Sequence, residues 1–301
     1  MQAPSRPPLF SLVIPTLNRL APLRLLFTSM QNSICQDFEV IVVDQNSGPL
    51  LDELCAEFAK VFPLQQIKIT SEGVSRARNL GFPLARGSIV NFPDDDCELT
   101  PTLLSQVAEH FAADSSLDML FARTVAPDSL QSSVTKFVLT ATPVTAQNLF
   151  GTTAECTMFL RREVFTEVGA LDQKLGVGTY FGAEEGSDFV LRALYKHRTI
   201  RYDPALLFYH PQKVGDYNAT ERARAFGYGR GFGRLSVKHL FLYRQPGAAL
   251  RFLHFQFRTL CAVLLFATMF KFAKSRFYWS CFTGRLTGAI LSLKDYCCTK
   301  P

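Results

Sequence analysis

The sequence is short of several things, and each shortage excludes something. It has one tryptophan against 27 phenylalanines, and its charged residues make up 19% of 301 residues, below the quarter usual for a soluble domain. With 48% hydrophobic residues it is neither a disordered chain nor a collagen. None of its eight cysteines forms a C-x-x-C pair, which argues against a zinc ribbon, a thioredoxin-type centre or a disulfide scaffold. The expectation is reduced thiols that pack as small hydrophobes. Residues 1–10 contain no apolar h-region, so the expectation is a chain without a secretory signal, working in the cytoplasm. The sharpest shortage is of acid at one end. Residues 222–301 hold 14 Lys and Arg but only one acid, Asp295, a charge of +13. Residues 1–221 hold 18 basic and 25 acidic residues, a charge of −7. An acidic body carries a basic tail, and that asymmetry calls for a partner.

The tail is basic and also apolar. Its longest charge-free run is Thr259–Phe270, twelve residues between Arg258 and Lys271, where a spanning helix needs about twenty. Phe277, Tyr278 and Trp279 sit among Lys and Arg. That pattern suits helices lying in the interface of an anionic leaflet, so the expected partner is a membrane surface, with the protein held peripherally on the inner face of the cell membrane. Nucleic acid is not expected, because the segment is too apolar to track phosphates.

The body reads as α/β. Phe10–Pro15 and Phe38–Asp44 are continuous β-rich apolar runs, as expected of parallel strands buried on both faces. Helical periods lie between them at Ala21–Asn32 and after them at Leu50–Phe62 and Ser75–Ala85, with further strands at Leu64–Thr70 and Ser88–Phe92. Strand–helix alternation predicts a doubly wound, mostly parallel sheet, with ligands beyond the carboxyl ends of its strands. Polar clusters stand in those places: Pro15–Arg19, Asp44–Gly48 and Asp94–Asp96.

Three adjacent carboxylates repel one another, and a divalent cation is the natural remedy. Oxygen ligands select Mg²⁺ or Mn²⁺, whose remaining shell is commonly water and substrate phosphate. A solvated acidic turn before the next helix is the alternative. Upstream, Gly73–Gly81 (GVSRARNLG) puts a glycine turn, two arginines and an amide at a helix start, a combination suited to a diphosphate.

Phe10–Asn18, Glu39–Gly48, Gly73–Gly81 and Ser88–Glu98 together resemble the four successive blocks of the family 2 glycosyltransferases, which have the GT-A fold. The resemblance runs over about residues 9–235. It implies an inverting enzyme with a nucleotide-sugar donor, UDP- or dTDP-linked, and a divalent metal. By the same resemblance Pro15, Thr16 and Asn18 line the nucleotide pocket, Asp44 accepts from the base, and Arg78 and Asn79 lie near base or diphosphate. Asp94 and Asp95 are placed with the nucleotide, and Asp94 and Asp96 form the D-x-D pair with Asp96 closest to the metal. Pro93 and Cys97 are unusual neighbours, so which two of the three aspartates bind stays open.

In the family an acidic motif, often E-D-x-D, opens a later helix. Aligning Asp188 and Arg192 to it puts Glu185 first and Gly186 second, a departure, since the second acid often serves as base. The chemistry needs one carboxylate to take the acceptor's proton. Glu185 is the expected base, with Asp188 positioning the acceptor and Glu184 as the alternative. His210, at the end of the Tyr202–His210 strand, is expected on the metal, again by resemblance. Gly227–Arg234 reads as a glycine-arginine loop, with Arg230 on the departing diphosphate.

The expected organisation is a GT-A catalytic domain over 1–235, with a nucleotide-binding half (1–100) and an acceptor half (101–235), followed by a helical membrane-associating tail over 236–301. The acceptor would be a surface glycan or a lipid-linked one. Two rivals remain. A nucleotidyltransferase would carry glycine after the first strand, where Pro15–Arg19 has none. A catalytically inactive membrane-bound binding module is suggested by Gly186.

Overall fold

The computed structural model describes residues 6–211 and 215–297. Contacts divide the chain into two compact units, Met1–Leu171 with Phe189–Lys213, and Asp172–Asp188 with Val214–Pro301.

The first unit holds the sheet. Its elements in chain order are β1 (Phe10–Thr16), α1 (Leu20–Gln31), β2 (Phe38–Asp44), α2 (Asp52–Phe58), β3 (Leu64–Lys68), α3 (Val74–Gly81), β4 (Ile89–Asn91), β5 (Glu98–Leu99), α4 (Leu103–Ala113), β6 (Met119–Val125), β7 (Thr142–Pro143), β8 (Met158–Arg161), α5 (Arg162–Val168), α6 (Glu185–Tyr195) and β9 (Ile200–Tyr209). The division between the units falls within α6, after Asp188. The strand order is β3-β2-β1-β4-β8-β6-β9-β5, with β7 on β9. β3, β2, β1 and β4 are parallel, as the alternation predicts. β8 then runs antiparallel between β4 and β6, and β6 and β9 are parallel again. β1 and β2 are buried along their whole length, the reason their sequences show no polar alternation. Register sets Thr16 opposite Asp44, so the ends of two central strands deliver their last side chains to one edge. β4 ends three residues before Asp94 on the same sheet.

The second unit is helical: α7 (Ala219–Phe241), α8 (Pro246–Thr268) and α9 (Phe272–Cys297), with the 172–184 segment and the first turn of α6. The boundary expected at residue 235 lies inside α7. The glycine-arginine loop expected over Gly227–Arg234 is instead the middle of that helix. Asn218 caps α7 by accepting from the Glu221 N–H at 2.9 Å, and Glu221 reaches back to the Tyr217 N–H. Four interior glycines cost a helix about 1 kcal/mol each relative to alanine. Close packing offsets that cost. A Cβ on Gly229 would meet the Cys281 carbonyl at 2.8 Å, and one on Gly233 would strike the Arg285 carbonyl. Facing them, a Cβ on Gly284 or Gly288 would strike the carbonyls of Phe226 and Arg230. Two G-x-x-x-G rows therefore bring α7 and α9 into backbone contact. The alternate glycine Gly231 lies against Ala183, just before the acidic motif.

Candidate active site

At the ends of β1 and β2 the sheet unit assembles a polar edge. Asp44 is fully buried and accepts from the Asn46 N–H at 2.9 Å, the Asn46 amide at 2.6 Å and the Gln66 amide at 2.8 Å. The Asn46 side chain in turn accepts from the Asn18 N–H at 2.9 Å. Asn18 sits in the left-handed region (φ 57°), which asparagine tolerates better than most residues. Pro15 and Thr16 close β1, both buried. A carboxylate has about four lone-pair sites, so these three N–H donors leave Asp44 room to accept one more.

The carboxylate cluster lies beyond β4. Oxygens of Asp94 and Asp96, the Cys97 sulfur and a His210 nitrogen all lie within 4.8 Å of one another. Asp94 pairs with the buried Arg78 guanidinium at 2.8 Å, and Asp96 with Arg19 at 3.0 Å and His210 Nε2 at 3.5 Å. His210 Nδ1 is 2.7 Å from the Pro211 carbonyl, which can only accept, so Nδ1 carries a proton. Nε2 then presents either a second proton or a lone pair towards Asp96. A lone pair beside a carboxylate is the arrangement a metal ion resolves, with the other ring N–H on a backbone carbonyl as ligating histidines usually have it. The Cys97 thiol is pushed well up by its hydrogen bond with Cys156 and by burial, and sulfur is a softer donor than Mg²⁺ or Mn²⁺ prefers. Two carboxylates and an imidazole fit Mn²⁺ or Mg²⁺. Burial pushes Asp95 up to about 7, with the Thr16 hydroxyl and Arg19 pulling the other way. Asp95 lies outside that cluster, which of the three aspartates brings together only Asp94 and Asp96.

Asn79, expected at the nucleotide, is committed elsewhere. Its amide donates to the Leu171 carbonyl and its carbonyl accepts from the Leu171 N–H, both at 2.9 Å. Its role is to hold the chain at Leu171.

In the helical unit the acidic motif opens α6. Glu184 has φ 77°, a left-handed position that costs a non-glycine residue about 1–3 kcal/mol and clusters at functional sites. Glu185 is buried at the first position of the helix. Asp188 is fully buried, 2.7 Å from Lys238 Nζ and 3.1 Å from His239 Nε2. Lys238 also bridges to Asp172 at 2.9 Å. Arg230 stacks over Tyr180, its guanidinium carbon 3.8 Å from the ring centroid. In the sheet unit Arg192 donates to the carbonyls of Val168, Gly169 and Ala170, which fixes α6 against the end of α5.

Sequence reasoning named Arg19 and Asn46 only as members of polar clusters, and it missed Gln66, Lys238 and His239. Asn46 had a signal, lying two residues after Asp44. Lys238 and His239 had none, being fifty residues from Asp188 in a stretch that reads as tail.

This constellation, a parallel four-stranded half-sheet with carboxylates after its fourth strand, defines a GT-A type α/β fold. Two solved structures share it at identities that speak to fold alone. The mannosyltransferase PcManGT of Pyrobaculum calidifontis, solved with GDP-Man and Mn²⁺, is 17% identical and aligns over 97% of this chain and 89% of its own, with a TM-score of 0.61. S. aureus TarS 1–349 is 18% identical over 92% of this chain and 90% of its own, with a TM-score of 0.57, and has also been solved with UDP-GlcNAc. The sequence profile of glycosyl transferase family 2 matches residues 11–169, and the chain belongs to that family. Among curated relatives, an uncharacterized glycosyltransferase of Haemophilus influenzae is 23% identical over 199 residues, and the O-antigen biosynthesis protein RfbC of Myxococcus xanthus is 30% identical over 194. Each match covers 62% of this chain, and the chain spans 62% of the first relative's length and 14% of the second's.

Proposed function

We propose that the protein transfers a sugar, with inversion, from a UDP- or dTDP-linked donor to a hydroxyl of a surface glycan or lipid-linked acceptor. The observation that carries the reading is the Asp94–Asp96–His210 cluster beyond β4, braced by Arg78. Asp44 accepts an N–H from the base, with Thr16, Asn18 and Pro15 around the nucleoside. Asp94, Asp96 and His210 would hold a Mg²⁺ or Mn²⁺, which would supply positive charge for the diphosphate. Arg230 adds a cation for the leaving group. The acceptor oxygen attacks the anomeric carbon and the bond from that carbon to the diphosphate oxygen breaks. The nucleoside diphosphate leaves with the electron pair, and the acceptor's proton passes to Glu185. Asp188, held by Lys238 and His239, positions the first turn of α6. Likeness to an O-antigen biosynthesis protein favours a polysaccharide acceptor.

The place of action is the cytoplasmic face of a membrane. α8 is the one described helix long and apolar enough to cross a bilayer. Spanning would bring the exposed Arg258, midway along it, to the bilayer centre at about 2.5–3.5 kcal/mol. Lying in the interface avoids that cost.

The test is turnover across a panel of nucleotide sugars with Mn²⁺. Asp96→Ala is expected to abolish it, and Glu185→Gln to lower kcat by about 10²–10⁴-fold. If neither substitution slows turnover, the assignment of the site falls. If no nucleotide sugar is turned over but one still binds, the inactive-module reading suggested by Gly186 replaces transfer.

A further inference from the structure

We propose that the turn between α8 and α9 is a membrane-docking tip that reads anionic lipid headgroups. The proposal deepens the membrane clause above and rests on it, not on the transfer chemistry. Four observations within the helical unit carry it.

The first is the turn's own conformation. Phe270 follows α8 at φ 55°, the left-handed position that normally falls to glycine at a helix end. Its N–H bonds to the Ala267 carbonyl and that of Lys271 to the Phe266 carbonyl, so the strained residue is fixed in place. A phenylalanine here gains nothing from the fold, because it is 81% exposed. An aromatic kept in a strained and solvated position needs a partner outside the chain.

The second is what surrounds it. Met269 and Phe272 are also exposed, and the Phe270 and Phe272 rings meet edge to face at 6.1 Å. Between them stands Lys271, also exposed. A cavity of about 490 Å³ opens here, lined by Tyr217, Phe270, Phe272, Lys271 and Lys274. Among the described residues neither lysine pairs with a carboxylate. Lys274 lies over the Phe266 ring at 4.2 Å instead. Two ammonium groups on aromatic walls suit a phosphate headgroup above an acyl layer.

The third is the face behind the tip. On α8, Leu250, Leu253, Phe257, Leu260 and Leu264 recur at spacings of three and four and are all exposed, Leu250 and Phe257 at 70% and 69%. On α9, Trp279, Leu286, Ile290 and Leu293 repeat the pattern. The opposite face of α9 is spent on α7, through Gly284 and Gly288.

The fourth is charge, and it selects the occupant. Residues 246–297 contain seven Lys and Arg and one acid, Asp295. A second copy of the chain would set these cations against their like. An anionic leaflet complements them, with Phe270 and Phe272 at the headgroup–acyl boundary and Lys271 and Lys274 at the depth of phosphate.

The chain carries its own reporter, because Trp279 is its one tryptophan. The experiment mixes the full-length protein with vesicles of phosphatidylcholine alone or with 30% phosphatidylglycerol. It reads co-sedimentation and Trp279 emission. Expected are binding and a blue shift with the anionic vesicles only. Lys271→Ala with Lys274→Ala should weaken partition by about 20–30-fold, and Phe270→Ser with Phe272→Ser by about 100-fold. Nucleotide-sugar binding should be unchanged in both double variants, which separates a failure of docking from a failure of the glycosyltransferase reading. Equal affinity for neutral vesicles overturns the headgroup claim. Undiminished binding by the phenylalanine variant overturns the tip. Self-association without lipid, abolished by the same substitutions, would make a second copy the occupant.

Discussion

Lys238 shows how much one side chain settles in the helical unit. It lies between Asp172 at 2.9 Å and Asp188 at 2.7 Å and is almost entirely buried. A buried ion pair adds little net stability over an apolar substitute, because desolvation offsets attraction, but removing one partner leaves a buried charge uncompensated. Here two carboxylates would lose a cation, Asp188 keeping His239 and Asp172 keeping the more distant Arg234. Lys238→Met is therefore expected to cost about 3–5 kcal/mol in urea denaturation at pH 7. An unchanged midpoint would show that the lysine is not holding the two acids. The consequence for chemistry is local. Asp188 is in the first turn of α6 with Glu185, so fixing one carboxylate fixes the backbone that carries the other. The strained Glu184 backbone is a separate sign that this turn is held in one conformation.

At the scale of elements, the α7–α9 pair makes an unusual demand on sequence. A side chain at Gly233 would collide with backbone, the Arg285 carbonyl and, at 2.5 Å, the Ala289 nitrogen, and backbone cannot swing aside. Gly233→Val should force the helices apart and lower the thermal midpoint. Gly247, in the first turn of α8, has nothing within 4 Å of its missing Cβ, so Gly247→Ala should leave stability unchanged or raise it by about 0.5–1 kcal/mol. The two substitutions differ only in what surrounds the added carbon. If both lower the midpoint alike, helix propensity rather than packing governs. The same pair explains what a sequence conceals. β1, β2 and β4 were legible, because a strand buried on both faces writes its burial as an uninterrupted apolar run, and the polar clusters after them marked the site. Gly227–Arg234, the middle of α7, reads as a loop because helix propensity describes one helix in water. The glycines that weaken it alone are those that let a second helix approach, and the partner's Gly284 and Gly288 are fifty residues away. Asn218 starts the helix by accepting from the Glu221 N–H, a contact that the Asn-x-x-Glu spacing allows. Asn79 was placed by resemblance at the nucleotide, and only the structure shows both ends of its amide taken by Leu171.

At the scale of the whole molecule, binding and stability are linked, and that link tests the donor site without needing to know the acceptor. A ligand that binds only the folded state stabilises it by about 2.7 kcal/mol at a hundred times its Kd. For a unit of the sheet's size each kcal/mol moves the midpoint by about 2–4 °C. The correct nucleotide diphosphate with Mn²⁺ should therefore raise the transition of the sheet unit by about 5–10 °C. The two halves of the site should contribute separably. EDTA or Asp96→Ala should remove the metal-dependent part and leave a smaller rise from the nucleoside, whereas Asp44→Asn should remove the preference for the base while the metal-dependent part persists. If EDTA removes nothing, the diphosphate is held by Arg78 and its neighbours and the carboxylates need no ion. In that case Asp94 and Asp96, each already paired with an arginine, would be anchors for the cations that face the donor, and His210 would serve Asp96 as a proton donor instead of sharing a metal with it.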